Sequence, residues 1–139
     1  MKNLILLTIL ALFAACGTGK KEQTNGEISI DSLKSEVLAI HDEVMPKMGE
    51  LRKTRKELLL QVDSLMESDA DKAAILTTIA NEIGAANESM MQWMRAYEPE
   101  FEGTDEEIRQ YLEDQKVAIQ KVKDDMLGSL KKGKEVLED

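Results

Sequence analysis

Spacing is the strongest constraint on this chain. Apolar side chains recur every three or four residues in three long runs. That is the period of an α-helix, which gathers positions i, i+3, i+4 and i+7 on one face. The first run is Leu33, Val37, Ile40, Val44, Met48, Leu51, Leu58, Val62 and Leu65. The second is Ala73, Leu76, Ala80, Ile83, Asn87, Met90, Met94 and Tyr97, a strict 3-4 heptad seam. The third is Ile108, Tyr111, Leu112, Gln115, Ile119, Val122, Met126, Leu130 and Leu137. No segment shows the two-residue alternation of a half-buried strand. Few aromatics (4%) and few β-branched runs also argue against a sandwich or barrel. The expected class is all-α.

The breaks between runs set the boundaries. Glu67-Ser68-Asp69-Ala70-Asp71 reads as a turn, with Ser68 or Asp69 suited to cap the second helix. Pro99 ends that helix. Thr104-Asp105-Glu106-Glu107 matches a capping box, with Glu107 three residues after the cap. Pro46 predicts a kink near residues 42–46, because it lacks an N–H and crowds the preceding turn. Gly128 and Gly133 are expected to weaken the end of the third helix. Helices over about residues 30–67, 70–98 and 104–137, joined by short loops, predict an elongated antiparallel three-helix bundle.

The first residues follow a different logic. Met1-Lys2-Asn3 is a short basic start, and Leu4 to Phe13 is almost wholly apolar. Ten helical residues span ~15 Å, about half a bilayer core. The segment therefore reads as a signal peptide, not a membrane span. Ala14-Ala15-Cys16-Gly17 follows and resembles a bacterial lipobox, with Phe13 where Leu is usual. That resemblance implies cleavage before Cys16 and lipidation of its thiol and new amino group. The chain would then comprise a leader (1–15), a lipid-anchored polar tether (16–28) and a helical domain (29–139). Its expected place is the bacterial cell envelope, on the inner or outer membrane, with the folded part outside the cytoplasm.

Composition excludes several functions. Loss of Lys2 with the leader takes the net charge from −9 to −10, which disfavours nucleic acid. One Cys cannot form an internal disulfide or a cysteine-ligated zinc site. One local concentration of chemistry remains. His41, Met45 and Met48 share a stripe, and Met90, Met91 and Met94 stand on the next helix beside Trp93 and Tyr97. Folding the hairpin at residues 68–69 brings five of the eight methionines toward the only His and the only Trp.

That patch has a packing reading, in which Met fills the gap left by the kink. It also has a soft-ligand reading: His41, Met45, Met48, Met90 and Met94 would suit Cu(I). Haem is disfavoured, since three helices enclose a macrocycle poorly and no Cys-x-x-Cys-His is present. An exposed Met-rich groove for an apolar peptide or lipid is a third reading.

Asp42 and Glu43 beside His41 would fit a general base, but no nucleophile or phosphate loop accompanies them, so no enzyme is expected. Arg52-Lys53-Thr54-Arg55-Lys56-Glu57 is a solvated stretch or a partner contact. The acidic residues Glu98, Glu100, Glu102, Asp105, Glu106 and Glu107 lack the ligand order of an EF-hand, leaving capping and solubility or weak calcium binding.

The segments HDEVMPKM (residues 41–48) and MMQWM (90–94), with the lipobox, resemble a group of small helical lipoproteins of Bacteroidota, some labelled "viral A-type inclusion protein". The resemblance covers residues 1–97 and implies location and shape without a mechanism. The expected function is a lipid-anchored, non-enzymatic binding or structural module. Its partner would be an unidentified protein or a second copy; a Cu(I)-binding protein and a structural coiled-coil oligomer are the alternatives.

Overall fold

The computed structural model describes residues 28–138. Four helices account for the three runs: α1 (Ile30–Val44), α2 (Met48–Leu65), α3 (Ala70–Ala96) and α4 (Asp105–Glu138). A 3-10 turn, Met45–Lys47, joins α1 to α2. Pro46 explains it: without an N–H, it cannot bond the carbonyl of Asp42, and the chain tightens for one turn before Met48 restarts the helix. No strand occurs among the described residues. The helices pack as an up-down-up bundle, with α3 antiparallel to the other two rods.

The starts of α1, α3 and α4 are capped by their own sequence. Ser29 Oγ accepts from Ser32 N at 3.1 Å. Of the two candidates before α3, Asp69 is the cap, accepting from Lys72 N at 3.0 Å. The capping box forms at α4: Glu107 N donates to Thr104 Oγ1, and Thr104 N donates to Glu107 Oε2 at 2.8 Å. Such caps are each worth about 1 kcal/mol and fix where a helix begins.

Packing follows the apolar seams. Val37, Val44, Met48, Leu51 and Leu58 meet Leu76, Ala80, Ile83 and Met90 of α3, and Ile119, Val122, Met126 and Leu130 of α4. Removing each large side chain from water stabilises the fold by roughly 1.5–3 kcal/mol, which makes helices of this composition persist. Register is marked at the surface. Glu36–Lys116 (2.5 Å) and Glu43–Lys123 (2.6 Å) both link residues 80 apart, one heptad after the other. They run α1 parallel to α4 in the manner of coiled-coil edge pairs.

Two glycines matter to the packing. Gly133 is buried, and a Cβ there would lie 2.7 Å from Ile83 Cδ1 and 2.8 Å from Thr54 Cγ2. It is the point where α4 approaches both α2 and α3, and α4 continues unbroken to Glu138. Gly84 leaves room for Arg55, whose Nε donates to the Ala80 carbonyl at 3.2 Å. With Gly133 against Ile83, α4 extends only ~8 Å further, while α3 runs ~20 Å back to Ala70. The end of α2 and the start of α3 therefore project as a two-helix tip, where Leu60, Met66 and Ile75 are exposed.

Candidate functional site

Trp93 and Tyr97 stand four residues apart, so they stack along one face of α3, 4.9 Å between ring centroids. Tyr97 continues to Tyr111 of α4 at 6.2 Å, and Tyr111 stacks on Phe101 of the α3–α4 loop at 4.3 Å and 6°. At the other end, the His41 ring lies 5.6 Å from Trp93. Every aromatic side chain of the described residues, with the only His, thus forms one column across the end of the bundle. Offset ring contacts of this kind add about 0.5–1.5 kcal/mol each beyond area burial.

The column also sets the loop. Glu98 N donates to the Tyr111 hydroxyl at 2.6 Å, holding the chain just before Pro99. Lys34 bridges from α1 to Glu100 at 3.0 Å. His41 Nδ1 lies 2.8 Å from Asp42 Oδ1 and the ring is mostly covered. Two polar atoms inside the column, Trp93 Nε1 and the Tyr97 hydroxyl, have no hydrogen-bond partner among the described residues. Burial pushes the Tyr97 phenol above its usual range, and neighbouring Tyr111 adds to the shift.

The methionines divide. Met48 and Met90 are core residues, Met90 with no exposure at all, and Met91 and Met94 pack against that core from its edge. Met45 stands apart on the 3-10 turn, 41% exposed. So four of the five methionines lie in or against the core, and Trp93 is the ring that meets His41. Among the described residues, no three His, Cys, Asp or Glu side chains gather as a metal site. In the acidic loop, Glu107 is taken up by the capping box and Glu100 by Lys34. Cys16 lies outside the described residues.

The spacing of Trp93 and Tyr97 was legible as a helix stripe. The parts played by Phe101 and Tyr111 were not, because a loop residue and a residue ten positions later meet only after the chain reverses. The basic stretch also resolves residue by residue. Thr54 is buried, Arg55 reaches across α3, Lys53 lies 3.8 Å from Glu57, and Arg52 and Lys56 form no ion pair.

Fold and site together define an all-α three-helix bundle whose end is closed by an aromatic column. Comparison with known protein families, with curated proteins and with solved structures finds no match to this chain.

Proposed function

We propose that this chain is a lipid-anchored, non-enzymatic protein of the bacterial cell envelope, its bundle serving as a binding or structural module. One observation carries the reading: the sole Cys follows the apolar leader directly, at Ala14-Ala15-Cys16-Gly17. Eleven polar or glycine residues (17–27) and Ile28 then precede a helix that starts with its own cap at Ser29. Acyl chains contribute ~0.8 kcal/mol per buried methylene, so the two or three of a lipoprotein hold firmly where one is marginal. Among the described residues, no helix is long and apolar enough to cross a membrane.

The non-catalytic part is supported by how the site side chains are used. Met48 and Met90 fill the core, His41 lies between Asp42 and Trp93, and Glu107 caps α4. The test is mass spectrometry of the mature N-terminus after expression of the full chain in a Gram-negative host, with membrane fractionation. Cys16 is expected to carry acyl chains and the protein to stay with membranes after a carbonate wash. Cys16→Ala is expected to lose the acyl mass. An unacylated Cys16 in the wild-type protein refutes the anchor.

A further inference from the structure

On α2, the side chains at 52, 55, 56, 59, 60 and 63 step by three and one, which places them on one stripe. Arg52, Arg55 and Lys56 occupy one end of it, Leu59 and Leu60 the middle, and Asp63 the other end. They line a shallow depression of about 370 Å³. Leu60 is 59% exposed. The lysines of α4 that face α1, α2 and α3 are neutralised by Glu36, Glu43, Glu50 and Glu82. Among the described residues, Arg52, Lys56 and Asp63 have no such partner. Arg52 and Asp63 are eleven residues apart, ~16 Å along the axis, and cannot reach each other within one helix.

The spacing of this stripe is the same read in either direction. In an antiparallel contact about a two-fold axis, Arg52 falls opposite Asp63 of the second copy. Lys56 falls opposite its Leu59, near the centre of the stripe, while Arg55 is turned to the Ala80 carbonyl of its own chain. Both ends pair by charge, and the aliphatic stem of Lys56 covers Leu59. This is the self-complementarity that an isologous dimer requires, with an apolar centre and a charged rim. We infer that this face of α2 docks against the same face of a second copy of this chain. The pairing overlaps the two hairpin tips and sends the Ile28 ends in opposite directions, about 90 Å apart. It deepens the reading of the chain as an association module by naming the partner, and it is independent of the lipid anchor.

A contact limited to twelve residues of helix is small, so the dimer is of the weak, concentration-dependent class. The experiment is sedimentation equilibrium of the full chain in density-matched detergent, up to roughly 500 µM to reach that class. Wild type is expected to approach dimer mass. R52E and D63K each turn two symmetric attractions into repulsions and should weaken dimerisation about ten-fold or more. The double variant R52E/D63K swaps the charges and should restore it. Arg52 and Asp63 are both exposed, and unchanged melting of each variant confirms an intact bundle. Three results overturn the inference: a monomer at every concentration, single reversals without effect, or a double variant no better than the singles. A monomer throughout would leave this face to an acidic helix of another protein. Acylation of Cys16 is read separately, so failure of one proposal does not touch the other.

Discussion

Replacing Gly133 by Ala tests the packing at its tightest point. The new methyl carbon would stand 2.7 Å from Ile83 Cδ1, 2.8 Å from Thr54 Cγ2 and 3.5 Å from Leu58 Cδ1. Ile83 and Leu58 are fully buried and Thr54 is 4% exposed, so none has open space to retreat into. Overpacking of this kind costs about 1–3 kcal/mol. Against it stands the helix preference of Ala over Gly, about 1 kcal/mol. Gly133→Ala is therefore expected to lose roughly 0–2 kcal/mol. Gly128, five residues earlier in the same helix, has nothing within 4 Å of its would-be Cβ. Gly128→Ala should gain about 0.5–1 kcal/mol from propensity alone. The gap between the two variants, about 1–3 kcal/mol, isolates the steric term, because propensity enters both alike. Urea unfolding followed by circular dichroism at 222 nm measures it, and each kcal/mol moves Tm by roughly 3–5 °C in a domain of this size. Adding Ile83→Val removes the closest methyl. The pair should then be more stable than the sum of its single changes by about 0.5–2 kcal/mol. Equal stabilisation by both Ala substitutions would refute the close approach and leave Gly133 as a mere weak point in a helix.

Three further outcomes follow from the same geometry. Met90→Ala empties a fully buried position and should cost about 2–5 kcal/mol, whereas Met45→Ala on the exposed turn should stay within about 0.5 kcal/mol; comparable losses in chemical denaturation would contradict the division of the methionines. Tyr97→Phe deletes a buried hydroxyl without a hydrogen-bond partner among the described residues and is expected to be neutral or stabilising by up to about 1 kcal/mol. Tyr111→Phe loses the bond from Glu98 N and should cost about 1 kcal/mol, so the reverse order of melting temperatures would exclude this account of the column. Glu107 is held below the usual carboxylate range by the Thr104 backbone N–H and hydroxyl, and Glu50 by Lys134 and then Lys47. The unfolded chain then binds protons more readily than the folded one, so both contributions are complete above the ordinary value of 4.5 and vanish as pH falls through the lowered folded values. Tm should drop on acidification between about pH 5 and 3, less steeply in Glu107→Gln, and an unchanged slope in that variant would remove Glu107 from the explanation.

Much of the fold was legible before folding. The 3-4 seams fall on the buried faces, with Leu33, Val37, Val44, Met48, Leu51 and Leu58 all inside. The capping box sits where its four letters placed it, and Pro46 disturbs the helix where a missing N–H must. These are local effects, settled within a turn or two of the residue that causes them. The site was legible in part. Met48, Met90 and Trp93 fall in one core and the His41 ring meets Trp93, because their spacing puts them on faces that the helices turn toward each other. Met45 does not join them, since the 3-10 turn rotates it out of the stripe that an unbroken helix would have kept.

Helical class, element limits and the buried face of each helix are therefore written in the linear chain. Those depend on propensity, capping and hydrophobic period, all short-range properties of the chain. Packing of the whole bundle makes Gly133 a contact and not a weakness, and lays Arg55 over Gly84. It alone joined Phe101 and Tyr111 to the column. Each of these joins residues from different helices or from a loop and a helix. Their meeting depends on axial offset and interhelical distance, which side-chain volumes across the whole bundle set together and no local pattern encodes.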